Sequence, residues 1–255
     1  MSENTSSFYD RLSGDYDEMT RFNSRLETQI EILRPWVERY QIRSAIDVGC
    51  GTGLHSLALC QLGIQVHGVD SNAKMLAQAK EHSERLECPV EWHHLDMLEL
   101  DRLSVRADAL FCLGNTIPHI LNENELHQSV YAMNRVLETR GIVLLQQLNY
   151  NRILRDRDRI VGIQKKHQGE IIRFYDFIFP LIRFNVLKIE WQESKPQHDL
   201  YSTLLKPYKN DELISAFNRN GFQDPELYGS LQGDPYDVES RDLVLLARKS
   251  GSSKS

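Results

Sequence analysis

The chain has 255 residues, 41% of them hydrophobic, and a formal net charge of -6. That length supports one well-buried core with an embellishment, and a sequence without a run of about 18 apolar residues offers no membrane-spanning helix. The acidic balance argues against a general nucleic-acid binder, although between Tyr150 and Arg173 the basic residues Arg152, Arg155, Arg157, Arg159, Lys165, Lys166 and Arg173 outnumber Asp156, Asp158 and Glu170. Such a patch is either a connector neutralised by ion pairs with other segments or a face turned toward an anionic ligand. The opening "MSENTSSFYD" has no cationic stretch followed by an apolar run, so a soluble cytoplasmic protein is expected. Cys50, Cys60, Cys88 and Cys112 have no CxxC spacing and sit mostly in apolar surroundings, which predicts neither disulfides nor a metal site.

Phe8, Leu12, Tyr16 and Met19 lie roughly one helical turn apart and predict an N-terminal helix weakened by Gly14. "SAIDVG" (44–49) is a continuous apolar run of the kind buried on both faces of a parallel sheet, and "QVHGVD" (65–70) repeats it. Between them "GLHSLALCQLG" has helical spacing, ending at Gly63, so the three form a βαβ unit. A helix carrying Met75, Leu76 and Ala79 follows, then strands near 90–96 and 107–113. A further helix is expected from about Glu123, with Leu126, Val130, Met133 and Leu137 on one face, ending near Gly141 before a strand at 142–148. After Tyr150 the pattern changes: "IIRFYDFIF", "LIRFNVLKIEWQ" and "HDLYSTLL" are aromatic and β-branched and read as antiparallel strands. A helix capped by Asp211 and closed at Asn220-Gly221, then strands around "PELYGS" and "DLVLLAR", complete an α/β chain whose tail is "GSSKS".

The first strand ends in "GCGTG". Gly49, Gly51 and Gly53 permit a tight turn and close approach of a ligand to the backbone, and the helix that follows offers unpaired N–H groups. Asp70 closes the second strand, where a carboxylate can accept from both hydroxyls of a ribose. Position 54 is Leu where a dinucleotide fingerprint has its third glycine, and no Gly-Lys-Ser/Thr follows as in a P-loop. "IDVGCGTG", Asp70 and "LDM" (95–97) resemble the class I methyltransferases that use S-adenosylmethionine, over a span from about Phe8 to Lys249.

That resemblance implies a mostly parallel, Rossmann-like seven-stranded sheet with helices on both faces and an antiparallel insertion after strand 5. It implies S-adenosylmethionine as cofactor and S-adenosylhomocysteine as product. The glycine turn would face the amino-acid part of the cofactor, Asp70 the ribose and Asp96 the adenine amine, with Tyr9, Asp47, Ser71, Met75, Met97, Leu113 and Asn115 around them. Asp70 and Ser71 also compete for the cap of the following helix, Met75 has the phase of a core residue, and His93 and His94 point to opposite sides of a strand, which suits packing and surface roles rather than joint ligation.

"CLGNTIPH" (112–119) ends the fourth strand where ligands of open parallel sheets bind. It lacks the Pro-Pro-Tyr or Pro-Pro-Phe clamp of enzymes that methylate adenine or glutamine amides. With "QQLNYNRIL" (146–154) it is similar instead to the glycine and sarcosine N-methyltransferase group, in which an arginine before the Asn-Tyr pair grips a substrate carboxylate. Here that position is Leu148, and glycine is a doubtful substrate because its carboxylate would be left unpaired.

The expected activity is methyl transfer to a small molecule, at an amine nitrogen. O- or C-methylation, RNA or protein methylation, or a noncatalytic cofactor-binding module are the alternatives. His119, Asn149 and Tyr16 are the catalytic candidates. His119 serves as loop cap, orienting group or general base, and Tyr9 and Tyr16 either close the methyl channel or simply pack. Asn115, His119, Asn149, Tyr150, Arg152, Arg173 and Tyr175 are expected around the substrate. The divisions expected are an N-terminal helical cap (1–43), a cofactor-binding half (44–150), an antiparallel lid (151–205) and a C-terminal completion of the sheet (206–250). The lid strands would alternatively pair two copies of the chain into a homodimer.

Overall fold

The computed structural model describes residues 7–12, 16–17, 22–166, 169–192 and 195–251. Gly14, Met19 and the tail beyond Gly251 lie outside them. Residues 7–12 are helical, and α1 (Phe22–Tyr40) buries Phe22, Leu26, Leu33 and Trp36. The chain then alternates as β1 (Ser44–Val48), α2 (Leu54–Gln61), β2 (Gln65–Asp70), α3 (Ala73–Arg85), β3 (Val90–His94), β4 (Ala107–Cys112), α4 (Glu123–Arg135) and β5 (Leu137–Leu148). A short α5 (Tyr150–Asp156) leads into β6 (Ile160–Lys166), β7 (Gly169–Ile178), β8 (Leu181–Gln192) and β9 (Lys195–Leu205). The chain closes with α6 (Asn210–Arg219), β10 (Phe222–Tyr228) and β11 (Asp242–Lys249).

Seven strands form one sheet in the order β10-β11-β5-β4-β1-β2-β3. All neighbours pair in parallel except those of β11, which runs antiparallel to β5 and β10. Strand order reverses between β1 and β4, which opens a crevice at their carboxyl ends. Alternate residues of these strands enter two cores. Ile46, Val48, Leu110 and Leu145 lie on one face with α4 and α6, and Ala45, Phe111 and Leu144 lie on the other with α1 and α2.

The insertion forms a separate antiparallel sheet, β6-β7-β8-β9. It leaves and rejoins the host at one corner: the Asn151 amide donates to Asn210 Oδ1 at 2.9 Å, and the Asn210 backbone N–H donates back to Asn151 Oδ1 at 3.3 Å. Just past β9 the Lys206 N–H donates to the carbonyl of Pro118 at 2.7 Å. Phe8 and Leu12 of the N-terminal helical segment pack on Ile171 and Val186 of this second sheet.

Three local expectations change. The helix expected to reach Gly141 stops at Arg135, and Leu137 already pairs with Ala107 as the first residue of β5. The register then slips to Ala109 opposite Ile142, across a bulge in which Arg140 takes φ 66° and an added Cβ on Gly141 would lie 3.0 Å from the Glu138 carbonyl. Helical phase and strand burial coincide at Leu137, which concealed the boundary. Asp211 lies inside α6 rather than capping it, and the Glu212 carboxylate accepts from the Lys209 N–H at 2.8 Å instead. Asn72, not Ser71, caps α3, its Oδ1 accepting from the N–H groups of Lys74 and Met75.

Part of the basic patch is paired within the fold. Arg155 pairs with Asp156 and Glu239, Arg159 with Asp176, and Arg152 with Asp158. Among the described residues no helix is long and apolar enough to cross a membrane.

α6 holds the sheet edge through Phe217, wholly buried with its ring 5.0 Å from that of Phe222. Phe217→Ala is expected to lower stability by about 3–5 kcal/mol in urea unfolding, as an aromatic deletion in a core that cannot collapse around it.

Candidate active site

The crevice is floored by the glycine turn after β1. Gly49, Gly51 and Gly53 take φ of 67°, 56° and 89°. At Gly49 an added Cβ would collide with the Thr116 side chain, and at Gly51 it would stand 3.9 Å from the Tyr16 ring and hydroxyl. The turn therefore needs glycine for its backbone angles and, at Gly49, for the close approach of the β4 loop.

Asp70, at the end of β2, straddles two backbone donors: Oδ2 accepts from the Gly51 N–H and Oδ1 from the Asn72 N–H, both at 2.8 Å. Desolvation raises its pKa, and these two bonds oppose the rise. Each oxygen keeps a further lone pair for a ligand hydroxyl. Asp47 lies deeper, wholly buried, accepting from Ser56 Oγ at 2.6 Å, and desolvation pushes it up to about 7. Asp96 begins the turn after β3, where its Oδ1 accepts from the Leu98 N–H at 3.0 Å. Met75, Met97 and Leu113 are buried, and Ser71 offers its carbonyl to His94 Nε2 at 3.0 Å.

The other wall is the loop after β4. Gly114 and Asn115 both turn with positive φ, and a short 3₁₀ turn, Ile117–His119, follows. The Asn115 amide is already engaged, since Nδ2 donates to the Tyr150 hydroxyl at 3.0 Å and Oδ1 accepts from the Leu148 N–H at 3.0 Å. It braces the ends of β4 and β5 against each other. Asn149 is spent in the same way. Its Oδ1 accepts from the Arg152 N–H and the Tyr236 hydroxyl, while Nδ2 donates to the carbonyls of Ser240 and Val238. The geometry of this catalytic candidate is that of a cap holding α5 to the loop before β11.

His119 differs. Its Nε2 lies 2.9 Å from the Tyr9 hydroxyl, its Nδ1 is buried with no partner among the described residues, and burial pushes its pKa down to about 4. Tyr9 in turn faces Tyr16, their ring centroids 6.1 Å apart. Desolvation and the nearby Asp70 raise both phenols, Tyr16 to about 12. The neutral imidazole and two protonated phenols thus form a polar but uncharged lining.

Tyr150 and Tyr175 are buried beside it. Arg152 turns away, donating to the Glu239 carbonyl at 3.3 Å. Arg173 turns inward: its Nε is buried without an acceptor among the described residues, and desolvation, then the nearby Arg241, lowers its pKa. Arg25 of α1 lies within electrostatic reach of Tyr16, His55 and Arg173. His55, pushed down to about 3 by desolvation and Arg25, lies beside Gly114. The sequence reading missed Arg25, His55 and Arg241. His55 was accessible from its place one residue into α2, whereas Arg25 and Arg241 occupy segments with no local motif.

Several contacts fasten the described part of the N-terminal segment. Asn72 Nδ2 donates to Asp10 Oδ1 at 2.9 Å, Asp17 pairs with His82 at 3.0 Å, and Tyr9 meets His119.

A family model described as a methyltransferase domain matches residues 45–141, from β1 into β5. A glycine/sarcosine N-methyltransferase of Aphanothece halophytica is 26% identical over 243 residues, covering 92% of this chain and 86% of the relative. The chain is a class I S-adenosylmethionine-dependent methyltransferase. It is related to the glycine/sarcosine N-methyltransferases, a second of which, from Halorhodospira halochloris, is 25% identical over 96% of this chain and 90% of its own length. The fold of the enzyme is shared with an S-adenosylmethionine-dependent methyltransferase of Clostridium acetobutylicum, at a TM-score of 0.81 and 13% identity, covering 95% of this chain and 99% of that one. A sugar N-methyltransferase from Streptoalloteichus gives 0.71 at 22% identity over 92% of each chain.

The methyltransferase uses S-adenosylmethionine and releases S-adenosylhomocysteine. The cradle fits such a ligand, with a turn closed to side chains, a carboxylate with free lone pairs at the end of β2, and an arginine and a histidine beside the turn.

The lowered His119 pKa means that folding disfavours its protonated form. This group costs nothing above the ordinary histidine range near 6.5, and stability is lost as pH falls from there to about 4. An NMR titration of the His119 ring should show it neutral down to about pH 5, and a midpoint near 6.5 would contradict the desolvated site.

Proposed function

We propose that the enzyme methylates the nitrogen of a small amine that also carries an anionic group. The observation that carries this reading is the inward Arg173 beside Arg241, facing a lining of neutral rings, in a chain whose relatives are named for glycine and sarcosine. Leu148 packs with the Tyr150 cluster where the glycine enzymes carry their arginine, and Arg173 supplies the cation from the insertion instead.

When bound, S-adenosylmethionine supplies a methyl group already activated by its sulfonium, so the chain's task is placement and exclusion of water. Gly49, Gly51 and Gly53 present backbone to the amino-acid end, Arg25 attracts its carboxylate, Asp70 accepts from the ribose hydroxyls, and Asp96 receives the adenine amine. Ser71, Met75, Met97 and Leu113 complete the adenosine walls, and Asp47 holds the turn from below through Ser56.

On the acceptor side Arg173 and Arg241 bind the anionic group. Their field disfavours an ammonium and so favours the free-base amine that attacks. His119 orients the amine through its unpartnered Nδ1, while Tyr9 and Tyr16 close the channel. Tyr150 and Tyr175 wall the acceptor, and Asn115, Asn149 and Arg152 set those residues in place. Residues 151–205 and the N-terminal segment act as the cover, over a cofactor-binding half at 44–150 that residues 206–250 complete. Ile160, Ile163, Phe179, Trp191 and Leu200 are exposed on the cover and would serve a homodimer, which sedimentation across a dilution series tests.

Three measurements test the reading. Asp70→Ala should weaken S-adenosylhomocysteine binding by about tenfold or more in calorimetry, with the fold retained, because charge-assisted hydrogen bonds are lost. A labelled-methyl screen of metabolite extract, read by mass spectrometry, should return acidic amines. On such a substrate Arg173→Gln should raise KM by about tenfold or more with a smaller change in kcat, and equal use of neutral amines by the unaltered enzyme would refute the anionic requirement.

A further inference from the structure

His67 on β2 is 5% exposed, yet its imidazole Nδ1 has two polar neighbours at once. His93 Nε2 lies 3.2 Å away and Glu91 Oε2 3.4 Å away, and the three atoms lie within 4.8 Å of one another. Strand pairing creates this convergence: His67 stands opposite Glu91 and Val69 opposite His93, so alternation puts His67, Glu91 and His93 on one face of adjacent strands. His94 faces the other way, with its Nε2 on the Ser71 carbonyl. Sequence reasoning considered His93 only with His94 and so missed the partner on the neighbouring strand.

A neutral imidazole carries one N–H and one lone pair. In the tautomers that hold the N–H on the other ring nitrogen, His67 Nδ1 and His93 Nε2 join Glu91 Oε2 as three converging lone-pair atoms. Two of the separations, 3.2 and 3.4 Å, match a coordination sphere, since metal bonds of about 2.0–2.1 Å at tetrahedral angles separate ligand atoms by about 3.3 Å, and the third lies within 4.8 Å.

We infer that His67, Glu91 and His93 bind a divalent transition-metal cation of the Zn2+ type, at a site separate from the methyl-transfer crevice. Two imidazoles and one carboxylate suit Zn2+ or Co2+ rather than Mg2+ or Ca2+, which favour all-oxygen ligands. The Glu91 side chain is 63% exposed, so the fourth position opens to water. β3 is one edge strand of the sheet and, among the described residues, pairs with β2 alone. The cation would tie the two together three residues before Asp70 on one strand and three before Asp96 on the other. It would thereby fix the spacing of the two strand ends without entering the reaction.

The test uses the full chain after chelator treatment. Titration with Co2+ should give the visible bands of a low-coordinate site at one equivalent, bleached by added Zn2+, and Zn2+ should raise the melting temperature. His93→Gln and Glu91→Gln, both at accessible positions, should each weaken Co2+ binding by about tenfold or more, and His94→Gln should leave it unchanged. If the unaltered chain gives no bands at millimolar Co2+, or if the bands survive His93→Gln at the same affinity, the site does not exist and the cluster is a hydrogen-bonded histidine pair. S-adenosylhomocysteine binding by His93→Gln reports that the variant is folded.

Discussion

The carboxylate of Asp70 joins the two crossover turns on which the crevice is built. One oxygen holds Gly51 in the turn after β1, and the other holds Asn72 at the start of α3. Asn72 then caps α3 with its Oδ1 and reaches Asp10 with its Nδ2. Asp10 adjoins Tyr9, whose hydroxyl meets His119 on the opposite wall. Hydrogen bonds and the one backbone step from Asp10 to Tyr9 thus connect the glycine turn through the end of β2 and the N-terminal segment to the loop after β4. Because the Asp70 carboxylate is desolvated, the two bonds it accepts are stronger than they would be in water, and losing either would leave a buried charge poorly satisfied.

Charge is distributed unevenly around the crevice. Asp70 and Asp96 lie at the ends of β2 and β3, whereas Arg25, Arg173 and Arg241 gather on the side of α1, the insertion and the loop before β11. Between them stand phenols and an imidazole that desolvation keeps neutral. A sulfonium and an anion brought into one such space would each find its own pole, and the neutral middle leaves the attacking nitrogen without a competing fixed charge.

What could be read from the sequence follows the range of the interactions. The βαβ rhythm, the glycine turn and the place of Asp70 depend on neighbours a few residues apart, and they stand where the pattern put them. The bulge in β5 was hidden because Leu137 satisfies helix and strand alike. The insertion was recognisable as antiparallel, but not that the N-terminal segment would pack on it, since Phe8 and Ile171 carry no shared signature. The amides of Asn115 and Asn149 were legible as polar groups in the right region. Their partners at Tyr150, Tyr236 and Ser240 come from distant segments, and only those partners reveal that both side chains are already committed. Arg25 was invisible for the same reason.

The reciprocal amides of Asn151 and Asn210 give the insertion a common point of departure and return. A segment whose two ends meet imposes no strain on its host, and the entropic cost of lengthening it grows only slowly. The seven-stranded sheet is in this sense a socket: a block hung from the corner where Asn151 meets Asn210 can change in length without straining the strands that carry the glycine turn and Asp70.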